Sequence, residues 1–390
     1  MNAITLAAAF ILVISAMERL MFWTWLLGFF YSKREPMKPT AAPSPEQVVE
    51  ATAEPVQEDP HAVVVMDKPQ TASVNRPSAS NVGLMLDARH TVSIYGPIFS
   101  VDSLGFTGVH SKSPSGRWVI ACDDSNGTRG GNRDSGHGTY ILYDTERNSI
   151  KVQGKKLQRP TNGSVSNNGI FSLEDWLFGA DLSGVFYVFS PVGEIILART
   201  FTANILNSAI SDNGLFAACH TAGGHTEDAS RLVFFDVANG CEAFSIQSDV
   251  ERPQGYEFDE ERRELILCFK NLGKFRYSYT GDFLDAQQYK DAKLNSTDDF
   301  VAIREAEELL KDPSLPEDKA REILAVVNSA MPRVGKFHPH WKATALKVQG
   351  IAHERLGETK KAIKAYQEAI DLNPKVGVKR KLDALRKKIG

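Results

Sequence analysis

The sequence predicts three parts: an N-terminal transmembrane helix, an all-β domain of about four to five similar sheets, and an all-α C-terminal domain. Three observations carry this prediction. The first 32 residues contain almost no charge, glycine-centred turns recur through the middle of the chain, and apolar residues then change from alternating to helical spacing. We place the three parts at 1–32, 83–290 and 295–390, with a linker at 33–82.

Composition is that of an ordinary globular protein, and a formal net charge of −3 over 390 residues gives no reason to expect a nucleic acid as partner. The four cysteines form no CxxC pair, and three of them fall late in apolar, strand-like runs: Cys122, Cys219 and Cys268. We expect free thiols rather than a metal site or disulfides, because equivalent places in separate sheets are too far apart to bridge. Free thiols favour a reducing compartment.

The N-terminal segment 1–32 predicts a membrane anchor. Residues 1–17 carry no charged side chain, and apolar sequence continues after Glu18 and Arg19. A helix over 3–25 is long enough to span a bilayer and places this charged pair near one end, where arginine can reach the interface.

A cleaved signal peptide is the alternative to an anchor. The chain lacks the basic start of such peptides, and apolar sequence continues past the small-residue pair Ser15-Ala16. Four cations follow the apolar core: Arg19, Lys33, Arg34 and Lys38. The positive-inside rule therefore predicts a single-pass membrane protein with the bulk of the chain in the cytoplasm.

The segment 33–82 has the composition of a disordered linker. It is rich in Pro, Ala, Glu and Ser and has too few large apolar residues to form a core. One run differs, His61–Met66 (HAVVVM), which is β-branched and apolar. We expect this run to pair as a strand or to dock on a partner.

One unit of turn and strands occurs four times between residues 83 and 290. Its turns are centred on Gly116, Gly169 and Gly214, and a fourth copy runs into Cys268. Each turn precedes two apolar strands, the second of which reads TYILYDTERN, GVFYVFSPVGE, RLVFFDVANG or KFRYSYTGD. One sheet cannot bury both of its faces alone, so such units stack, and a period of 45 to 53 residues predicts a β-propeller.

Four copies are few for a closed ring. We predict a small propeller of four or five blades in which Thr91–Tyr95 completes the last blade and joins the two ends of the domain. An open or twisted sandwich is the alternative.

The second strands of two copies end on Tyr143-Asp144 and Phe235-Asp236. These units resemble blades of the WD-repeat and related propeller families, which carry a Trp-Asp pair at that place. No Gly-His pair opens a repeat, and the other two copies lack the acid. The resemblance therefore implies the architecture and a partner-binding face, but not the family's hydrogen-bond network.

The C-terminal domain begins with a helix at 298–311. A second helix follows the capping box Ser314–Glu317 and runs to about Ala330. Seven later residues have the spacing of a tetratricopeptide repeat, which this segment resembles: Leu346, Gly350, Gly357, Ala362, Tyr366, Ala369 and Pro374. The resemblance implies paired helices, with a degenerate repeat before them and a capping helix at 375–389.

Two connections between the apolar strands are long, polar and rich in glycine, at 123–138 and 220–230, whereas the other copies have short ones. In WD-type propellers this connection lies on the partner-binding face. We therefore predict partner-binding residues there, with plain solvated loops as the alternative: Asp123, Asp124, Arg129, Arg133, His137, His220, His225 and Asp228.

A metal or phosphate site built from the same loops, with Asp134 added, is a further hypothesis. Histidine and carboxylate can bind zinc, but no fixed ligand spacing supports such a site. No phosphate-binding, hydrolase or metalloprotease motif occurs in the sequence. We therefore predict no cofactor, no metal and no catalytic residues.

The terminal helix carries seven cations and one acid. A solvated polar face is the simplest interpretation, attraction to anionic lipid headgroups is the next, and nucleic acid is the third. Together, these features predict a non-enzymatic, membrane-anchored scaffold that binds protein partners through the propeller loops and the helical-repeat groove. The alternative is a ligand-dependent or metal-dependent sensor or hydrolase that uses the two long loops.

Overall fold

The computed structural model describes residues 90–126, 133–179, 182–248 and 250–389. The predicted anchor, the predicted linker with its apolar run at 61–66, and Arg129 lie outside these residues. Within them, no helix has both the length and the apolar character that crossing a membrane requires.

The described residues form four antiparallel sheets that follow one another along the chain. The first sheet has six strands: β1 (Val92–Tyr95), β2 (Ile98–Val101), β3 (Phe106–Lys112), β4 (Trp118–Asp123), β5 (Thr139–Asp144) and β6 (Ser149–Gly154). The second has four: β7 (Pro160–Val165), β8 (Phe171–Trp176), β9 (Gly184–Phe189) and β10 (Ile195–Phe201). The third also has four: β11 (Ile205–Ile210), β12 (Phe216–Thr221), β13 (Arg231–Asp236) and β14 (Cys241–Gln247). The fourth has three: β15 (Gly255–Asp259), β16 (Glu264–Phe269) and β17 (Gly273–Ser278).

Each of the four sequence copies becomes one sheet, and neighbouring sheets pack face to face. Strands β3, β7, β11 and β15 lie side by side in that order. Buried apolar side chains fill the three gaps between sheets, with Phe171, Phe186 and Phe234 among them. The domain is therefore propeller-like in its stacking, as the period of the repeats predicts.

The three turns that mark the repeats need glycine for a backbone reason. Gly116, Gly169 and Gly214 have φ angles of 74°, 87° and 76°, in the left-handed region that other residues avoid. At Gly169, a Cβ atom would also lie 2.9 Å from the ring of Trp118 in the preceding sheet. These turns set where each strand begins and hence the register of the repeats.

The first sheet closes its own outer face. It curls so that β2 lies over β5, and the ring centroids of Phe99 and Tyr143 are 5.6 Å apart. The predicted role of Thr91–Tyr95 in the last blade is wrong, because β1 pairs with β2 in the first sheet, from Val92 opposite Val101 to Tyr95 opposite Ile98. The physical reason is local: a short turn makes the hairpin partner the nearest available strand.

The fourth sheet is closed by helix α1 (Ala286–Leu294), which packs against β17. Tyr289 of this helix is only 2% exposed, and its ring lies edge-on to Phe275 at 5.0 Å. In the part of the chain that the structure describes, no strand contact comparable to those between neighbouring sheets joins the fourth sheet back to the first. Both ends of the stack therefore carry caps of their own.

Five further helices follow in the described C-terminal part: α2 (Asp299–Leu309), α3 (Glu317–Phe337), α4 (Pro339–Arg355), α5 (Thr359–Leu372) and α6 (Lys379–Ile389). Strands thus give way to helices after Ser278, while the exact domain boundaries stay a prediction. The Asp298 carboxylate caps α2 by accepting a 2.9 Å hydrogen bond from the backbone N–H of Phe300.

The start of α3 corrects one local prediction. The side chain of Ser314 does not cap this helix, because its hydroxyl donates a 2.7 Å hydrogen bond to Asp312. The helix also continues through Pro332 to Phe337. Val334, one turn before the end and only 3% exposed, packs in the helical core and favours this continuation.

Helices α4 and α5 pack as the small residues predict. A Cβ atom on Gly350 would overlap the ring of Tyr366, so only glycine allows this approach. Tyr366 is fully buried, and its hydroxyl donates a 2.8 Å hydrogen bond to Glu354. Leu346, Ala362 and Ala369 join the same buried cluster, which α6 covers with two leucines.

Candidate functional site

The first long loop joins β4 to β5 and is held to the second sheet. The Asp124 carboxylate accepts a 3.1 Å hydrogen bond from Nε of Arg159, in the β6–β7 connection. Burial raises the pKa of the Asp124 carboxyl, and the hydrogen bond from Arg159 opposes that rise. Asp123 accepts from the backbone N–H of Ser125 at 2.8 Å. This end of the loop therefore serves the fold.

The far part of the same loop is open to solvent. His137 is exposed and Arg133 is half-buried, with the backbone N–H of Arg133 donating to the carbonyl of Asp124 at 3.0 Å. Asp134 and Ser135 are exposed as well, so the part of this loop from 133 to 137 can reach a partner.

The second long loop joins β12 to β13, and Asp228 ties it to the neighbouring sheet. This carboxylate is 3% exposed and accepts hydrogen bonds from Arg199 at 3.0 Å and from the backbone N–H of Thr202 at 2.8 Å. Arg199 also pairs with Glu242 at 3.2 Å. Asp228 thus joins the second and third sheets, which the sequence did not indicate.

His220, predicted to begin this loop, lies instead in strand β12 and is buried. The side chain is 4% exposed, and neither ring nitrogen has a hydrogen-bond partner among the described residues. Burial, with a smaller contribution from the cation Arg252, lowers its pKa from 6.5 to about 4, so the imidazole is neutral at pH 7. His225, by contrast, is exposed.

The structure thus divides the residues predicted to bind partners. His220, Asp124 and Asp228 are engaged in or between sheets, while His137 and His225 remain accessible. Among the described residues, no three His, Cys, Asp or Glu side chains come together as metal ligands would. Partner binding by the loops stays a prediction that rests on their exposed parts.

A polar contact between the second and third sheets was missed by sequence reasoning. Glu174 on β8 is 2% exposed and accepts hydrogen bonds from Ser208 at 2.7 Å and from Asn162 at 3.1 Å. Burial raises its pKa. The sequence does show an acidic residue inside an otherwise apolar strand. It could not show the hydrogen-bond partners of that residue, because they lie on two other strands.

The helical domain contains a groove that the sequence predicted only in outline. A cavity of about 520 Å³ lies where the C-terminal ends of α2 and α4 meet α6. It is lined by seven residues: Glu307, Leu310, Lys311, Ile351, Glu354, Arg355 and Lys381. The spacing of these residues along the helices could have revealed the groove from the sequence. Residues 307, 310 and 311 lie on one face at the end of α2, and residues 351, 354 and 355 lie on one face of α4.

The groove has an apolar strip with charges of both signs around it. Leu310 and Ile351 supply the apolar side chains. Lys381 lies 3.7 Å from Glu354, and Lys347 pairs with Glu307 at 2.6 Å next to the cavity. Such partly exposed ion pairs contribute little to stability and exchange easily for pairs with a ligand.

Arg355 shapes the floor of the groove instead of presenting a free charge. Its guanidinium donates to the backbone carbonyls of Leu310, Asp312 and Pro313, the last at 2.7 Å. These carbonyls follow the end of α2, where helices leave acceptors unpaired, and that of Asp312 also accepts a 3.3 Å hydrogen bond from the backbone N–H of Leu315. The groove is therefore held in place before any partner binds.

The tetratricopeptide repeat family model matches residues 343–376. This match is one repeat, formed by most of α4, all of α5 and the turn that follows. It includes all seven signature residues predicted from the sequence. The helical groove described above is thus bordered on one side by a tetratricopeptide repeat.

A comparison with solved structures finds a β-propeller with low overall similarity. The Cps50 (Swd1) β-propeller domain from Myceliophteria thermophila aligns with a TM-score of 0.30 and 13% sequence identity. The alignment covers 43% of this chain and spans about half of that domain, 49%. No curated protein matches the chain.

Proposed function

We propose that this chain is a membrane-anchored, non-enzymatic scaffold that binds a segment of a partner protein in the groove between α2, α4 and α6. The observation that carries the proposal is the preformed groove beside the tetratricopeptide repeat. Its volume of about 520 Å³ is in the range of specific ligand sites, and helical grooves of this kind take peptide segments.

The lining defines the partner's chemistry. The apolar strip of Leu310 and Ile351 favours a segment that presents an apolar side chain. The surrounding Glu307, Lys311 and Lys381 favour charged residues of both signs beside it. A helical or extended peptide with one apolar anchor between charged residues fits these features.

The propeller loops give the scaffold a second surface. His137 and His225 are exposed on the loops that leave β4 and β12, the connections that differ in length from those of the other two sheets. Two weak contacts on one chain bind a common partner more tightly than either alone, because the first raises the effective concentration for the second.

Membrane anchoring completes the proposal and rests on the sequence of residues 1–32. The cations after the apolar core support an orientation with the bulk of the chain in the cytoplasm. Lys379, Arg380, Lys387 and Lys388 are exposed on α6, and anionic headgroups would attract them. Release of the full chain from membranes by alkaline carbonate would contradict the anchor.

The groove is tested by cross-linking the full chain in native membranes and identifying the attached proteins. Ile351→Glu places a charge on the apolar strip, and we expect the cross-linked partner to fall about tenfold or more, as at an interface hot spot. Lys364→Glu is the matched control, since this lysine lies on α5 with 82% of its side chain exposed.

A second variant guards against misfolding of the first. Lys381→Glu alters an exposed groove residue and should also reduce the partner, by a smaller factor. If Ile351→Glu and Lys381→Glu both retain the partner at the level of Lys364→Glu, the groove is not the binding site.

A further inference from the structure

The fourth sheet has one face that no further sheet covers. Along β16, Leu265, Leu267 and Phe269 are buried on the face toward the third sheet, whereas the residues that alternate with them are partly exposed. In the described part of the chain, the third sheet alone contacts the fourth to the extent seen between neighbouring sheets. Helix α1 packs at β17, which is the edge opposite β15. The second face therefore stays accessible along β15 and β16.

A cavity of about 600 Å³ lies where β15 passes the end of β11. Ile210, Phe258 and Ile266 contribute apolar side chains to its wall. No lysine or arginine is among the described residues that line it, but five carboxylates are: Asp212, Glu257, Asp259, Glu260 and Glu261. The cavity therefore combines an apolar wall with strong negative charge.

Three of these five carboxylates lack a cationic partner among the described residues. Glu257 pairs with Lys274 at 2.6 Å, and Asp259 pairs with Arg262 at 3.9 Å. The other three are exposed, and no described lysine or arginine forms an ion pair with them: Asp212, Glu260 and Glu261. Exposed carboxylates beside an apolar wall favour a partner that carries cations next to small or apolar side chains.

A complementary surface lies on α6. Arg380, Ala384, Lys387 and Lys388 are exposed on the side of this helix away from its buried leucines. Arg380 and Lys387 are two turns apart, or about 10 Å along the helix axis. No described acid forms an ion pair with these three cations. Helix α6 packs against α5, and no ion pair between described residues joins it to the cavity of its own chain.

We propose that α6 of one copy of this chain docks into the β15 cavity of a second copy. The three cations on this side of α6 match, in number and sign, the three carboxylates that lack an ion pair. Ala384 lies between Arg380 and Lys387, and its small side chain allows the helix to approach the apolar wall. Anionic headgroups also attract these cations, but a membrane leaves the acidic cavity without a counterpart.

The contact joins two different surfaces, so each copy offers one helix and one cavity. Such a contact is heterologous, and it links copies head to tail. Linked copies carry several partner grooves side by side, which strengthens binding of a partner that has more than one matching segment. The contact itself does not depend on what the groove binds.

Capture between two differently tagged forms of the full chain, produced together in native membranes and solubilised in mild detergent, tests the proposal. The helix variant carries Lys387→Glu and Lys388→Glu, and the cavity variant carries Asp212→Lys and Glu261→Lys. When both tagged forms are the same variant, like charges meet at the contact. We then expect co-capture to fall about tenfold or more for either variant.

Mixing the two variants separates a lost contact from a misfolded chain. The basic helix of the cavity variant meets the unaltered cavity of the helix variant, and the acidic helix meets the basic cavity. Co-capture in the mixture should therefore return to the level of the unaltered chain, which misfolded variants would not achieve. Lys360→Glu with Lys364→Glu is the matched control, since it reverses two exposed cations on α5 and should leave co-capture unchanged.

Three results would overturn the proposal. The first is an unaltered chain that shows no co-capture. The second is a loss in both variants that mixing does not restore. The third is co-capture that either variant retains at the level of the control. If the helix variant alone loses co-capture and also binds phosphatidylserine vesicles less well, α6 serves the membrane and not a second copy.

Discussion

The two ends of the stacked sheets are closed by different means. At the fourth sheet, α1 buries Tyr289 to 2% exposure, and its hydroxyl accepts a 3.0 Å hydrogen bond from the backbone N–H of Glu251. At the first sheet, β1 and β2 curl over the core but leave Tyr95 87% exposed. The same residue type is thus part of a finished cap at one end and of an uncovered edge at the other. The difference indicates that the fourth sheet ends under a packed helix, whereas the first sheet ends on a partly exposed outer strand.

The largest effect is expected at the finished end. Tyr289→Ala should cost about 3–5 kcal/mol of local stability, because it leaves a cavity among Phe269, Phe275 and Phe283. Hydrogen exchange in β16 and β17 measures the loss. Tyr289→Phe keeps the ring and should cost about 1 kcal/mol, the value of one hydrogen bond. Equal effects of both variants would mean that packing does not dominate this cap.

A smaller effect is expected where α1 joins β17. The Asp285 carboxylate accepts hydrogen bonds from Arg276 through the backbone N–H at 2.9 Å and through the guanidinium at 2.8 Å, and these bonds lower its pKa. Asp285→Asn should lower the free energy of unfolding by about 1 kcal/mol at pH 7. This is less than the loss of a fully buried ion pair would cost, because Arg276 is partly exposed.

The cost of Asp285→Asn should also depend on pH. A carboxyl with a lowered pKa contributes stability that is present above the pKa of the unfolded chain, near 4, and is lost as pH falls through the folded value. The difference in unfolding free energy between the unaltered chain and the variant should therefore become smaller below pH 4. Thermal unfolding measures this difference. If it stays constant from pH 7 to pH 3, the lowered pKa of Asp285 does not contribute to stability.

The smallest effect is expected at the open end. Tyr95→Thr changes an exposed side chain to another residue with strand preference, so the stability of β4 and β5 should change by about 0.5 kcal/mol or less. Exchange of the amides in β4 and β5 measures this. A loss as large as that of Tyr289→Ala would show that Tyr95 already belongs to a packed core.

The repeats could be predicted because they depend on local chemistry. Gly116, Gly169 and Gly214 adopt positive φ angles that the sequence pattern required, and the strands follow them. The tetratricopeptide repeat was found for a similar reason, since the spacing of Gly350 and Tyr366 sets the approach of two neighbouring helices.

Predictions that depend on contacts between distant parts of the chain were less accurate. Thr91–Tyr95 was assigned to the wrong sheet, because a four-residue strand fits any edge and only the curled first sheet selects its partner. Asp228 and His220 looked like exposed loop residues. Asp228 is held by Arg199 and Thr202, and His220 lies on β12 between β11 and β13, so the burial of both depends on residues in other parts of the chain.

The sequence by itself determined the four repeats, the change from strands to helices and the position of the helical repeat, because each follows from turn chemistry and apolar spacing over a few tens of residues. The tertiary structure alone decided how the two ends of the stack are capped, which loop residues are buried, and that α2, α4 and α6 form a groove. Those features depend on contacts between residues far apart in sequence, such as Arg355 with the carbonyl of Pro313 and Phe99 with Tyr143. Spacing along the chain carries no information about such contacts.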